Sequence, residues 1–135
     1  MSTNSNVRPL DANILRLVRY AMIMAMLVFV GVTYFVHSNA QPPVEPSQSL
    51  PTFRLIGFAM VAGAIVALAV LRGVRQRAPV ERRGTLGLIG SAIAEGAGMF
   101  GGVYYFLGGG LDVFAAAIVV FLASWAVLPA DPEAV

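Results

Sequence analysis

Four apolar stretches, each closed by proline, glycine or charge, set the pattern of this chain. They run over about 14–36, 53–71, 85–107 and 113–128, the last ended by Pro129. A helix needs roughly 17–25 residues to cross the hydrocarbon of a bilayer. The first three stretches fit that length and the fourth lies at its short end. The pattern predicts an all-α, polytopic membrane protein: one membrane domain over 1–135 with four transmembrane helices. The connections are of three kinds. The segment 37–52, with HSNAQPPVEPSQSLP, is too proline-rich for regular structure and reads as an extended external loop. The segment 72–84 reads as a short basic loop, and GGGLD at 108–112 as a tight turn. Asp11 and Asp112 are placed to cap the first and fourth helices.

Composition agrees with the pattern. The chain is 58% hydrophobic and 12% charged, with a mean hydropathy of +0.77, whereas soluble domains carry about 25% charged residues. All nine basic residues are arginine, and their placement sets an orientation. Arg72, Arg75, Arg77, Arg82 and Arg83 crowd the second connection, Arg8, Arg16 and Arg19 flank the first stretch, and 37–52 has none. The positive-inside rule then puts both termini and the 72–84 loop in the cytoplasm, as expected of a multi-pass protein of the inner (cytoplasmic) membrane. The aromatic anchors agree: Tyr20 and Trp125 fall at the cytoplasmic ends, Tyr34, Tyr104 and Tyr105 at the other. The five clustered arginines are topogenic and suited to anionic lipid headgroups; nothing in their arrangement points to nucleic acid. Ser38-Asn39-Ala40 leaves signal cleavage after Ala40 as an open alternative. The apolar core of 17 residues from Tyr20 to Val36 exceeds the usual 7–15-residue signal core, which favours retention.

The raw material for chemistry is narrow. With no cysteine and a single histidine, His37, neither a metal cluster nor a nucleophile–base pair is expected, so the chain reads as a protein without cofactor or enzymatic activity. The exception is Glu95, near the middle of the third stretch. A carboxylate at that depth costs about 2.5–3.5 kcal/mol on insertion scales and marks a functional site by default. Ser91, one turn earlier, is its expected hydrogen-bond partner, and no arginine is expected at its depth, since the arginines belong to helix ends. The same stretch carries Gly90, Ala94, Gly98 and Gly102 at four-residue spacing, with Gly87 and Gly101 beside them. Small residues so spaced let helix backbones approach closely in a membrane. The partner of that face, in this chain, in a second copy or in another subunit, is open from sequence.

The decapeptide Ala92-Ile93-Ala94-Glu95-Gly96-Ala97-Gly98-Met99-Phe100-Gly101, preceded by Arg75-Gln76-Arg77-Ala78-Pro79-Val80-Glu81, resembles the carboxylate helix and polar loop of the proteolipid c subunit of rotary ATP synthases. The resemblance covers 72–107. It implies a hairpin of the second and third helices, with Glu95 binding a proton or cation. The whole chain also resembles small bacterial four-span membrane proteins, a likeness that implies no activity.

Three functional readings follow. The first is a membrane subunit whose Glu95, with Ser91, binds a proton or cation within a larger complex. The second is a non-catalytic accessory subunit of a respiratory or photosynthetic complex, docked through the glycine face of the third helix. The third is a small dimeric proton-coupled exporter. Their partners are the lipid bilayer and either other membrane subunits or copies of the chain itself.

Overall fold

A computed structural model describes residues 12–40 and 48–129. These residues form four helices and no strand: α1 (Ala12–Asn39), α2 (Leu50–Arg77), α3 (Val80–Phe106) and α4 (Leu111–Val127). Helices α1, α2 and α3 are each long and apolar enough to cross a membrane, which supports a multi-pass integral membrane protein. Helix α4, with 17 residues, is a shorter apolar helix.

The helices outrun the apolar stretches at their ends, and this corrects the expected connections. The basic loop 72–84 is no loop: α2 continues through Arg72 and Arg75 to Arg77, and α3 starts at Val80. Only Ala78 and Pro79 break the chain. Proline disfavours helical geometry in the residue before it, and Ala78 is accordingly extended at φ −78° and ψ 148°. Arginines in the last turn of α2 face the partial negative charge of its C-terminus, which favours the extra turns. The expected loop 37–52 also shrinks. Helix α1 reaches Asn39, where Ser38 Oγ donates to the Tyr34 carbonyl at 2.8 Å and Asn39 Nδ2 to that of Phe35 at 2.7 Å. Helix α2 starts at Leu50, with Pro51 in the first turn, where a missing N–H is tolerated. Asp11 and positions 41–47 lie outside the described residues.

The turn between α3 and α4 needs glycine at one position. Gly108 adopts φ 89°, the left-handed geometry that ends a helix. Its N–H bonds the Tyr105 carbonyl and that of Gly109 bonds Tyr104, so two free carbonyls of α3 are satisfied. Asp112 is not the N-cap. Gly110 takes that position without a side-chain hydrogen bond, because Asp112 already lies in the first turn of α4. There it accepts hydrogen bonds from Arg54 of α2, Nε at 2.9 Å and a terminal nitrogen at 2.6 Å. Burial pushes the Asp112 carboxyl up, but the Val113 N–H together with the hydrogen bond and charge of Arg54 outweigh it and hold the group below its ordinary value. A depressed carboxyl contributes stability above the ordinary aspartate range, near about 4, that is lost as the pH falls through its folded value. Acidification is therefore expected to cost the wild type at most about 1 kcal/mol through this exposed pair. The check is a thermal midpoint that drops on acidification in the wild type more than in Asp112→Asn.

Packing places α3 at the centre. It touches α1, α2 and α4, and α2 also touches α4, but the backbones of α1 and α2 do not approach each other. Met26 of α1 lies on Gly98 and Phe29 on Gly102, so α1 runs parallel to α3. Helices α2 and α4 run antiparallel to it: Leu68 and Leu128 lie on Gly90, and Phe114 on Gly101. All the arginine-rich helix ends therefore gather at one end of the bundle, the basic end. The opposite end carries the Arg54–Asp112 pair and His37, whose ring lies tilted against Tyr105 with centroids 4.2 Å apart.

Each outer helix buries one stripe and exposes the rest. In α1 the buried residues Leu15, Arg19, Met26 and Thr33 fall on one line, while Leu17, Val18, Leu27, Val28 and Phe35 are exposed. Lipid tails are as apolar as leucine, so contact area alone does not hold such helices together; close fit does. The small residues of α3 provide it. Ala94 is fully buried, and Cβ atoms at Gly90, Gly98 or Gly102 would collide with Leu128, Met26 or Phe29 respectively. The partner of the glycine face is thus the chain's own α1, α2 and α4.

Candidate functional site

Helix α3 carries two polar features within the apolar part of the bundle. The first is Ser91, fully buried against α1. Arg19 reaches it from the buried stripe of α1, its terminal nitrogen donating to Ser91 Oγ at 3.0 Å. The expected Ser91–Glu95 hydrogen bond is absent; Ser91 Oγ instead accepts from Arg19 of α1. The expectation that no arginine sits near the depth of Glu95 is likewise overturned. Ser91 is one helical turn from Glu95, about 6 Å along the axis.

Arg19 is only 3% exposed. Its guanidinium carbon lies 4.5 Å from the centroid of the Trp125 ring, which gives the charge a π face as well as the serine hydroxyl. Tyr20 closes the same corner, its ring centroid 6.3 Å from that of Trp125. Arg19 Nε, however, is buried without a hydrogen-bond partner, and the like charge of Arg75 acts on the same guanidinium. A buried charge without an anion is a net cost, and apolar replacement of buried charged groups is often neutral or stabilising by about 1–4 kcal/mol. We expect Arg19→Met to stabilise the lipid-free protein by about 1–2 kcal/mol, since the freed Ser91 hydroxyl can bond back to its own helix. Thermal denaturation in detergent checks this; destabilisation would mean that an anion compensates Arg19.

Glu95 is the second feature. On α3 it shares a stripe with Leu88, Ser91, Met99 and Gly102, of which Ser91 and Gly102 face α1. On its other side lie the exposed residues Ile89, Ala92, Gly96 and Val103. Because α1 and α2 do not meet, this exposed strip of α3 forms an open valley between them, with Glu95 on the wall next to α1. Gly96 in the valley floor has nothing within 4 Å of where a Cβ would stand. Glu95 is half-buried and forms no hydrogen bond or ion pair among the described residues. Comparison with protein-family models, curated proteins and solved structures finds no match to this chain.

The other residues singled out by sequence divide clearly. Gly87, Gly90, Ala94, Gly98, Gly101 and Gly102 serve packing within the chain. Among the arginines, Arg72, Arg75 and Arg83 line a cavity at the basic end, whereas Arg77 and Arg82 line a separate recess beside Pro79. Arg19 and Trp125 were not singled out as a pair. The available signal was periodic: Arg19 lies on the Leu15–Met26–Thr33 line, and a charge on the buried stripe needs company.

Proposed function

We propose that this protein is a four-span subunit of the inner membrane, with both termini cytoplasmic, whose Glu95 binds and releases a proton or cation at a flank open to the bilayer or to another subunit. The observation that carries the reading is the setting of Glu95: half-buried, on the wall of the open valley and without a polar partner among the described residues, while the other deep polar group of α3, Ser91, accepts a hydrogen bond from Arg19. An isolated carboxyl in such a place is held neutral by a proton or paired by a group from outside the chain. The c-subunit-like decapeptide points the same way, and α2 and α3 form a close antiparallel hairpin in keeping with it. The clustering of arginines at one end supports the cytoplasmic placement of that end.

An accessory role in a larger membrane complex is the second reading, favoured by the empty floor at Gly96, where a partner helix could seat. Docking through the glycine face is not part of it, since the chain fills that face itself. A small exporter gains no observation of its own. The test is labelling of the purified protein with a hydrophobic carbodiimide, which adds only to protonated carboxyls. Glu95 is expected to be modified, with a rate that falls as the pH rises. Absence of Glu95 modification across the pH range would overturn the reading.

A further inference from the structure

At the basic end, Arg72, Arg75 and Gln76 of α2, Arg83 of α3 and Pro129 after α4 enclose a cavity of about 240 Å³. Three arginines line it, and among the described residues no carboxylate does. Arg75 is 7% exposed and donates to the Pro129 carbonyl at 3.3 Å; Arg83 Nε donates to the Ala78 carbonyl at 3.1 Å, leaving its terminal nitrogens for another acceptor. Behind them Arg19 has the buried, unpartnered Nε described above. Such a concentration of charge at the edge of an apolar bundle calls for an anion.

A second feature says which kind. A lipid-facing groove of about 290 Å³ runs along the α2–α4 seam over Ile65, Ala69, Val120 and Ala123, and Arg72 and Val127 line both it and the basic cavity. Its lining is almost wholly apolar. A charged cavity opening into an apolar groove has the two-part shape of an anionic phospholipid, and the cavity is below the ~300–1,000 Å³ of a site for a whole drug-sized ligand. We propose that this is a phospholipid site: the phosphate of an anionic lipid sits between Arg72 and Arg83, and one acyl chain lies in the α2–α4 groove.

The experiment is retention of phosphatidylglycerol against phosphatidylcholine, read by native mass spectrometry of the full chain released from detergent carrying each lipid. Wild type is expected to retain phosphatidylglycerol preferentially. Arg72→Gln/Arg83→Gln should weaken retention about thirtyfold, from the loss of two charges near the lipid phosphate. Arg77→Gln/Arg82→Gln removes the same charge from the neighbouring recess and should change it less than threefold. Ala123→Trp, at an exposed position, should fill the groove and also displace the lipid. Equal loss in the two arginine pairs would overturn the proposal in favour of general surface charge. Competition by millimolar inorganic phosphate together with an inert Ala123→Trp would overturn it in favour of a soluble anion.

Discussion

Gly101→Leu is expected to break the α3–α4 seam and to lower stability by about 3 kcal/mol, the upper part of the range for overpacking a fitted core. A Cβ at this position would stand 3.0 Å from Phe114 Cα and 3.3 Å from the Val113 carbonyl oxygen. Both are backbone atoms on a helix, and neither can rotate aside. Gly98 offers a contrast, because its nearest neighbour is the end of the Met26 side chain, which can move at smaller cost. Gly96 offers the opposite case. Open space surrounds it, so Gly96→Leu should leave the isolated chain intact and gain about 1 kcal/mol of helix propensity. Thermal denaturation of the three variants in detergent should therefore rank Gly101→Leu well below Gly98→Leu, and Gly96→Leu at or above wild type. Equal losses at 96 and 101 would contradict the packing described.

Glu95→Gln should leave stability within about 1 kcal/mol of wild type and abolish carbodiimide labelling and any proton-linked activity of the complex. Glutamine has nearly the shape of a protonated glutamate and breaks no hydrogen bond or ion pair, since Glu95 makes none among the described residues. It removes only the ionisable proton. The variant also separates the two functional readings. If Glu95 handles a proton, assembly survives in Glu95→Gln while activity is lost. If the valley seats a partner helix, Gly96→Leu releases that partner although the chain stays folded, and Glu95→Gln does so only in proportion to the hydrogen bonds it loses. Size-exclusion of the native complex, read beside the labelling, tells them apart.

The apolar runs made four helices legible because a long span needs no tertiary help to be recognised. Their ends were less so. Pro79 was visible, but sequence gives little warning that a helix will carry Arg72, Arg75 and Arg77 past the apolar core before stopping. The ladder from Gly90 to Gly102 was legible as a close-packing face, whereas its neighbours were not: Met26, Phe29, Leu68, Phe114 and Leu128 come from three helices, and nothing local in any of them names α3. Glu95 stood out because charge there is costly. Arg19 did not, because an arginine near a helix start ordinarily snorkels to water; here the position of α1 on α3 turns it inward to Ser91 and Trp125.

The lateral separation of α1 and α2 carries a consequence for biosynthesis. Successive spans commonly settle as hairpins while the chain is still being made, yet α1 has no seat on α2. Its seat is α3, whose last residue follows the end of α1 by about 70 residues, roughly 4–14 s of translation at 5–20 residues per second. During that interval α1 waits alone in the bilayer, with Arg19 free to reach the water at the basic end. Helix α1 is thus made well before its seat, and its docking on α3 covers Ser91 and turns Arg19 from a surface anchor into a buried charge.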